Sequence, residues 1–400
     1  MDYITVGEAA KKWNVSNRLV QKYCAEGRIE GARKTGTSWE IPVEAVKPRD
    51  PRKERKEQPP QKNDSLTDEL FPGLMPLMNT AFQPGRCQES IAEMKNSYKQ
   101  KIALAEYHYF SGQAEQAAQE AELFLTCPDP ALRLSACLIY GYANLTLGQI
   151  HLARYALTEI RNTLSVGGEK APHLRAMEAF FAAAAAVLLH LPLPEGLPPL
   201  GDFLPQLPPG LRAFALYVQA HYLYLQQQYD KSVGIVEATL AMGANRYPIS
   251  AIYLHLVAVM DYMSMKQREQ AQKHLLAAWD MARPDDLIEG FGEHHGLLGG
   301  MLEAVIKPGW PEDFKRIIAI TYRFSAGWRK VHNPNTGHDV ADNLTTTEFA
   351  AAMLAARGWT NQEIGQHMNL SAHTVKHYIS NVLQKLNIKQ RQDLKQYMLR

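Results

Sequence analysis

The sequence predicts a mainly α-helical protein: a central stack of helix pairs with a small helical domain at each end. Three observations predict it. Between residues 90 and 330, Ala, Leu, Tyr and Met recur at steps of three and four, with hardly any strand-like alternation. The same stretch resembles itself at offsets of 36 and 39 residues. Two segments poor in large apolar residues, Lys47–Ser65 and Val331–Asn343, separate this middle from the ends. A chain of 400 residues with 46% hydrophobic side chains has room for two or three domains with real cores. The expected boundaries are 1–47, a linker over 48–85, the helical repeats over 86–332, and a last domain over 340–400.

The first domain begins with Thr5-x-x-Glu8, a capping box for a helix whose apolar positions include Val6, Ala9, Ala10 and Trp13. Asn14-Val15-Ser16 reads as a turn. Ser16 caps a second helix that carries Asn17, Arg18, Gln21 and Lys22 and ends at Gly27. "RIEGARKTGTSWEIP" then reads as two short strands around Lys34-Thr35-Gly36-Thr37. Residues 1–47 thus resemble the excisionase/MerR-like winged helix-turn-helix. The resemblance implies that Ser16, Asn17, Arg18, Gln21 and Lys22 meet a DNA groove and that Arg33 and Lys34 on the wing hold the flanking backbone.

In the middle, "YFSGQAEQAAQEAELFL" aligns with "TLGQIHLARYALTEI", and "YLQQQYDKSVGIVEATL" with "MSMKQREQAQKHLLAAW". Ala117, Ala153, Ser232 and Ala271 occupy the small position early in each second helix, where close packing on the first is needed. Such units resemble tetratricopeptide-type repeats in degenerate form. That implies an irregular solenoid with a concave face, which would take a small-molecule or peptide effector. Tyr107, His108, Tyr140, Asn144, Tyr222 and Tyr262 fall on first helices, where packing between repeats explains each of them as well as a groove does. The segment 170–190 reads as a further first helix. It runs into "LPLPEGLPPLGDFLPQLPPG", too rich in proline to be helix. His294 and His295 in "GEHHG" are adjacent, so on a helix they point about 100° apart and make poor joint metal ligands.

The last domain opens with Thr345-x-x-Glu348, a capping box, and its first helix stops at Gly358. Thr360 and Glu363 repeat the box. Ser371 caps a third helix, and "QRQDLKQYML" supplies a fourth. In the third helix Val375, Ile379, Val382, Leu383 and Leu386 form an apolar stripe, while His373, Lys376, His377, Ser380 and Gln384 form the opposite, polar side. Gly365 lies where the second helix must pass close to the third. A short turn between two such helices leaves the polar side free for a major groove. With its opening Leu-Thr, Asn361-x-Glu363-Ile364, Ser371-x-x-Thr374-Val375-Lys376 and Lys385-Leu386, the segment resembles the LuxR-type DNA-binding domain. Tyr378 departs from the family's usual His and can fill the same half-buried place. The resemblance implies that Lys376, His377 and Ser380 face base edges, and that Thr374 and Lys385 hold phosphates. Ser371 and His373 lie at the start of the same helix, and the last helix would offer a dimer contact.

Charge agrees with this layout. Residues 1–60 hold 13 Lys/Arg against 9 Asp/Glu, and residues 340–400 hold 7 against 4, so both ends are basic around an acidic middle. The four cysteines are scattered without Cys-x-x-Cys spacing, as expected of reduced cytosolic thiols rather than a disulfide frame or zinc site. The Met-Asp-Tyr start is not that of a signal peptide, and the longest apolar run, Ala179–Leu189, is too short to span a bilayer. There is no Gly-x-x-x-x-Gly-Lys-Ser/Thr loop, no receiver domain and no nucleophile or paired-carboxylate motif. The sequence therefore leads one to expect no enzyme activity, no cofactor and no metal. It leads one to expect a bacterial, cytoplasmic, nucleoid-associated transcriptional regulator. Its partners would be double-stranded DNA, RNA polymerase and a second copy of itself, with no membrane. The alternatives are a repeat scaffold for other proteins and an architectural or recombination factor.

Overall fold

The computed structural model describes residues 3–13, 15–25, 29, 31–36, 38–47, 73–165, 172–189, 193–332 and 344–395. It divides into two compact units, Met1–Ser65 and Leu66–Arg400.

The first unit runs β1 (Tyr3–Thr5), α1 (Val6–Trp13), α2 (Asn17–Ala25), β2 (Arg33–Thr35) and β3 (Ser38–Pro42). The capping box forms: the Glu8 carboxylate accepts from Thr5 N at 2.8 Å, and Thr5 Oγ1 accepts from Glu8 N at 3.3 Å. The expected two strands are joined by a third, because Tyr3–Thr5 pairs antiparallel with β3, Ile4 opposite Ile41. The sheet order is β1-β3-β2. Local pattern could not reveal a three-residue strand whose partner lies nearly 40 positions away. Ala9, Ala10, Trp13, Val20, Tyr23, Cys24, Ile29 and Ile41 form a core belonging to this unit.

The second unit is built from helices. They are α3 (Cys87–Ala92), α4 (Ser97–Phe110), α5 (Ala114–Glu122), α6 (Pro130–Thr146), α7 (Ile150–Ser165), α8 (Pro172–Leu188), α9 (Leu200–Phe203), α10 (Pro209–Leu225), α11 (Tyr229–Ala241), α12 (Pro248–Ser264) and α13 (Arg268–Ala282). Then come α14 (Glu289–Glu293), a π-helical turn over Leu302–Ile306, α15 (Lys307–Gly309), α16 (Pro311–His332), α17 (Thr346–Ala356), α18 (Asn361–Met368) and α19 (Ala372–Lys385). Among the described residues no helix is long and apolar enough to cross a membrane.

Four helix hairpins share one connection. The pairs α4–α5, α6–α7, α10–α11 and α12–α13 are each joined by three residues, and the middle one is left-handed: Gly112 (φ 79°), Gly148 (70°), Gln227 (59°) and Lys266 (60°). The hydrogen bonds match as well. The residue ending each link, Gln113, Gln149, Gln228 or Gln267, donates its N–H to the carbonyl of His108, Asn144, Leu223 or Tyr262 at 2.8–2.9 Å. Such a turn satisfies carbonyls that the first helix leaves open. Gly112 and Gly148 suit it without strain, whereas Gln227 and Lys266 sit where an L side chain is disfavoured. Ala117, Ser232 and Ala271 are fully buried at the early position of their helices. Ala153 is only half-buried, and it is Ala156 that meets Gly141 on α6.

Two expectations need correction. Residues 73–85, read as linker, belong to the core. Leu74, Leu77, Met78 and Phe82 are buried, Met75 N donates to Ser135 Oγ at 2.8 Å, and Leu77 N and Met78 N donate to the buried Glu106 carboxylate at 3.0 Å. The rest of that expected linker, 48–72, lies outside the described residues, as do 333–343 of the second break. The proline-dense segment also contains short helical pieces: α9, between its prolines, and a 3₁₀ turn over Leu204–Gln206 that takes Pro205 in its first turn, where no N–H is needed.

The first-helix side is not left open either. α14 and α16 fold back onto it: α14 packs on α4 and α12, and α16 on α6. Glu293 of α14 is gripped by the hydroxyls of Tyr109 and, at 2.8 Å, Tyr253. His294 Nε2 meets Tyr217 Oη at 2.8 Å, while its neighbour His295 meets Glu303 at 2.7 Å, so the adjacent imidazoles serve different partners. Tyr140 and Asn144 are buried in packing, and Tyr107, His108, Tyr222 and Tyr262 are half-buried.

Candidate nucleic-acid interface

Three helices with strong local start signals make the site. The capping boxes at Thr345/Glu348 and Thr360/Glu363 are both present, and Ser371 Oγ accepts from Thr374 N at 2.9 Å. α18 ends at Asn369 in the left-handed conformation (φ 55°), and Leu370 N returns to Gly365 O at 2.8 Å. A Cβ at Gly365 would lie 2.6 Å from Leu370 O, so the turn can close this tightly only with hydrogen at that position. Arg391 then fastens the start of α18, donating to Asn361 Oδ1 and to the Trp359 carbonyl. Of the expected fourth helix over 390–399, the described part is a 3₁₀ turn, Arg391–Asp393, that continues as α-helix at Leu394 and Lys395; 396–400 lie outside the described residues.

α19 packs on α17 and α18. Val375, Ile379, Val382 and Leu386 are buried, with Leu383 and Tyr378 half-buried at the edge. On the other side Ser371, His373, Lys376, His377, Ser380 and Gln384 are exposed. His377 Nδ1 lies 3.2 Å from Asn381 Nδ2, and Lys376 has no ion-pair partner among the described residues. Thr374 is half-buried, its hydroxyl 2.7 Å from Ser371 Oγ. Lys385 is differently placed: its Nζ lies 2.7 Å from the buried Glu348 carboxylate. Burial raises the Glu348 carboxyl, but Lys385 and the Thr345 N–H outweigh it and hold it below the usual carboxylate range. Lys385 therefore ties α19 to the first turn of α17.

In the N-terminal unit Ser16, Asn17, Arg18, Gln21 and Lys22 are all exposed, and Ser16 Oγ accepts from Leu19 N at 3.3 Å. On the hairpin Lys34 is exposed opposite Trp39. Arg33 is engaged, 2.8 Å from Glu40 and stacked 4.0 Å over the Tyr3 ring.

The sequence reading missed how the C-terminal helices are seated. Their other side is docked on the helix stack through α17 and α18. Arg357 donates to Tyr224 Oη at 2.8 Å and to Leu297 O at 2.6 Å. Lys266 donates to Gly358 O at 3.0 Å and lies 3.5 Å from Glu363. His367 Nε2 meets Gly299 O at 3.1 Å, and burial holds that imidazole neutral, its pKa lowered to about 4. Gly296, Gly299 and Gly300 admit α17: a Cβ on Gly296 would come 2.3 Å from Phe349, and one on Gly299 2.4 Å from Arg357. The signal was present in "GEHHGLLGG", whose glycines outlast its histidines in importance.

An exposed polar helix side, braced from behind by a second helix across a tight turn, is the geometry of major-groove reading. No match was found among curated proteins. Residues 342–398 match the family model of bacterial regulatory proteins, luxR family. The C-terminal segment is thus a luxR-family helix-turn-helix, a DNA-binding domain of transcription regulators.

Proposed function

We propose that this chain is a sequence-specific transcriptional regulator with two DNA-reading modules and a helical-repeat sensor between them. The observation that carries the reading is the unobstructed side of α19, where Lys376, His377 and Ser380 stand exposed while the opposite side of its bundle is taken up by docking. Base edges would meet Lys376, His377 and Ser380, with His373 and the Ser371–Thr374 pair at the entry of the groove. Affinity would come mainly from Lys and Arg displacing counterions from phosphates.

The N-terminal unit supports a second reader, a winged helix-turn-helix of excisionase/MerR-like type. Arg18, Gln21 and Lys22 share one exposed stretch of α2, and Lys34 stands on the hairpin. The four matching hairpin links support a tetratricopeptide-like sensor. A homodimer would double the short site that one such domain grips, and RNA polymerase would be the downstream partner in a cytoplasmic, nucleoid-associated setting.

Lys376→Ala is expected to weaken binding to a selected DNA site by about 1–3 kcal/mol and to relax its sequence preference. Competition binding across a salt titration checks this. An unchanged affinity and preference would remove α19 from the groove.

A further inference from the structure

One cavity of the helix stack has walls of unusual chemistry. α8, the segment Leu193–Phe203 and α10 line a half-open cavity of about 310 Å³. Phe180, Ala183 and Val187 of α8 form one apolar wall. Three prolines of the facing loop, Pro194, Pro198 and Pro199, form another. Prolines present ring carbons and carbonyl oxygens but no N–H. The polar side chains are Gln219 and Tyr222 of α10, and neither the Gln219 amide nor the Tyr222 hydroxyl bonds another described residue. Among the described residues no Asp, Glu, Lys, Arg or His lines the space.

This chemistry selects its occupant. A carboxylate or ammonium would meet no counter-charge among the described lining residues, which is costly in so apolar a space. A wholly apolar molecule would leave the Gln219 amide unmet. With about 30 Å³ per water-sized group, the cavity holds roughly ten heavy atoms, near the lower end of the range for ligand pockets. We infer that this cavity is an effector site for a small neutral aliphatic molecule with one donor–acceptor head, such as a primary amide, its chain against α8 and the prolines and its head on Gln219. The inference rests on reading the repeats as a sensor and names what they sense.

α10 also links the cavity to the DNA-binding domain. Gln219 and Tyr222 face the cavity, and Tyr224, two residues on, accepts from Arg357 of the docked helices at 2.8 Å. An occupant that shifts α10 moves one of the seats of the C-terminal domain. Couplings of this kind change affinity by about 5–150-fold.

The test is calorimetric titration of the full chain with n-octanamide and, separately, with octanoate. Octanamide should bind saturably at one site per chain, and octanoate at least about tenfold more weakly. Ala183→Phe, at a half-buried position of the wall, should abolish octanamide binding. Should that variant fail to fold, Gln219→Leu, which leaves the cavity volume nearly unchanged, should weaken octanamide by about tenfold. Octanamide should also change the affinity for a selected DNA site, and Tyr224→Phe should shrink that change. The inference falls if the amide does not bind, if acid and amide bind alike, or if neither wall nor head substitution matters. DNA affinity without ligand is read in the same experiment. A chain that binds DNA but not octanamide overturns only the effector site; one that binds octanamide but not DNA overturns only the regulator.

Discussion

The two terminal domains bury their helices in different ways. α1 is amphipathic: Ala9, Ala10 and Trp13 face inward, Lys11 and Lys12 outward, and the unit's own three-stranded sheet closes the core around Ile41. α17 is apolar almost all round, with Ala350 to Ala355 buried without interruption. A helix of that kind must be covered on more than one side. α19 covers one and the glycine-rich stretch after α14 covers another, so the C-terminal helices and the repeats share one continuous core. The C-terminal helices share their core with the helix hairpins of the second unit, and the first unit has a core cluster of its own.

The sharpest way to break this comparison is Trp13→Ala. Emptying that site is expected to cost about 3–5 kcal/mol, enough to unfold the small first unit. Calorimetry of the full chain should show the main transition of the second unit unchanged; a coupled fall would mean the units are not independent. Gly296→Val tests the other half. With Phe349 2.3 Å from the new Cβ, seating α17 should cost about 1–3 kcal/mol. The loss should appear together in C-terminal and repeat signals in denaturant titration; separate transitions would deny the shared core.

Buried carboxyls and capping carboxyls respond to acidity in opposite ways. Asp261, buried beneath Ser232 beside the Arg357 junction, is pushed up to about 8 by burial. It binds a proton in the folded chain that the unfolded chain has released above its ordinary value of 3.8. Its contribution to stability therefore falls as pH rises from about 4 to about 8. Glu8 behaves oppositely: the Thr5 N–H, and then the Thr5 hydroxyl, lower its carboxyl, so its contribution is present above about 4.5 and lost as pH falls below that. Asp261→Asn should flatten the decline in melting temperature between about pH 4 and 8 in the second unit. An unaltered slope would take Asp261 out of the account.

The smallest effect lies within the repeats. Gln227→Gly should relieve a left-handed residue and stabilise the chain by up to about 1 kcal/mol, measured by the denaturant midpoint. The same substitution logic gives nothing at Gly112 and Gly148, which already meet the turn's demand. That contrast explains how far the repeats could be traced. Where the turn carries glycine, the offset of 36 was easy to read. Where it carries Gln227 or Lys266, the offset of 39 was legible from the rest of the unit, with Ser232 against Ala271, and the turn residues tolerate the same geometry at some cost.

Sequence alone determined what depends on near neighbours. The capping boxes at Thr5, Thr345 and Thr360, the cap at Ser371, the constraint on Gly365 and the division of α19 into apolar and polar sides all lie within one or two helical turns, where 3.6-residue periodicity and hydrogen-bond geometry leave little choice. Tertiary structure decided what depends on distant partners: the pairing of Tyr3–Thr5 with β3, the burial of residues 73–85 against Glu106, the capture of Lys385 by Glu348, and the seating of α17 on Gly296–Gly300. Those contacts join residues tens of positions apart, and their energies come from burial and charge pairing that no local window contains.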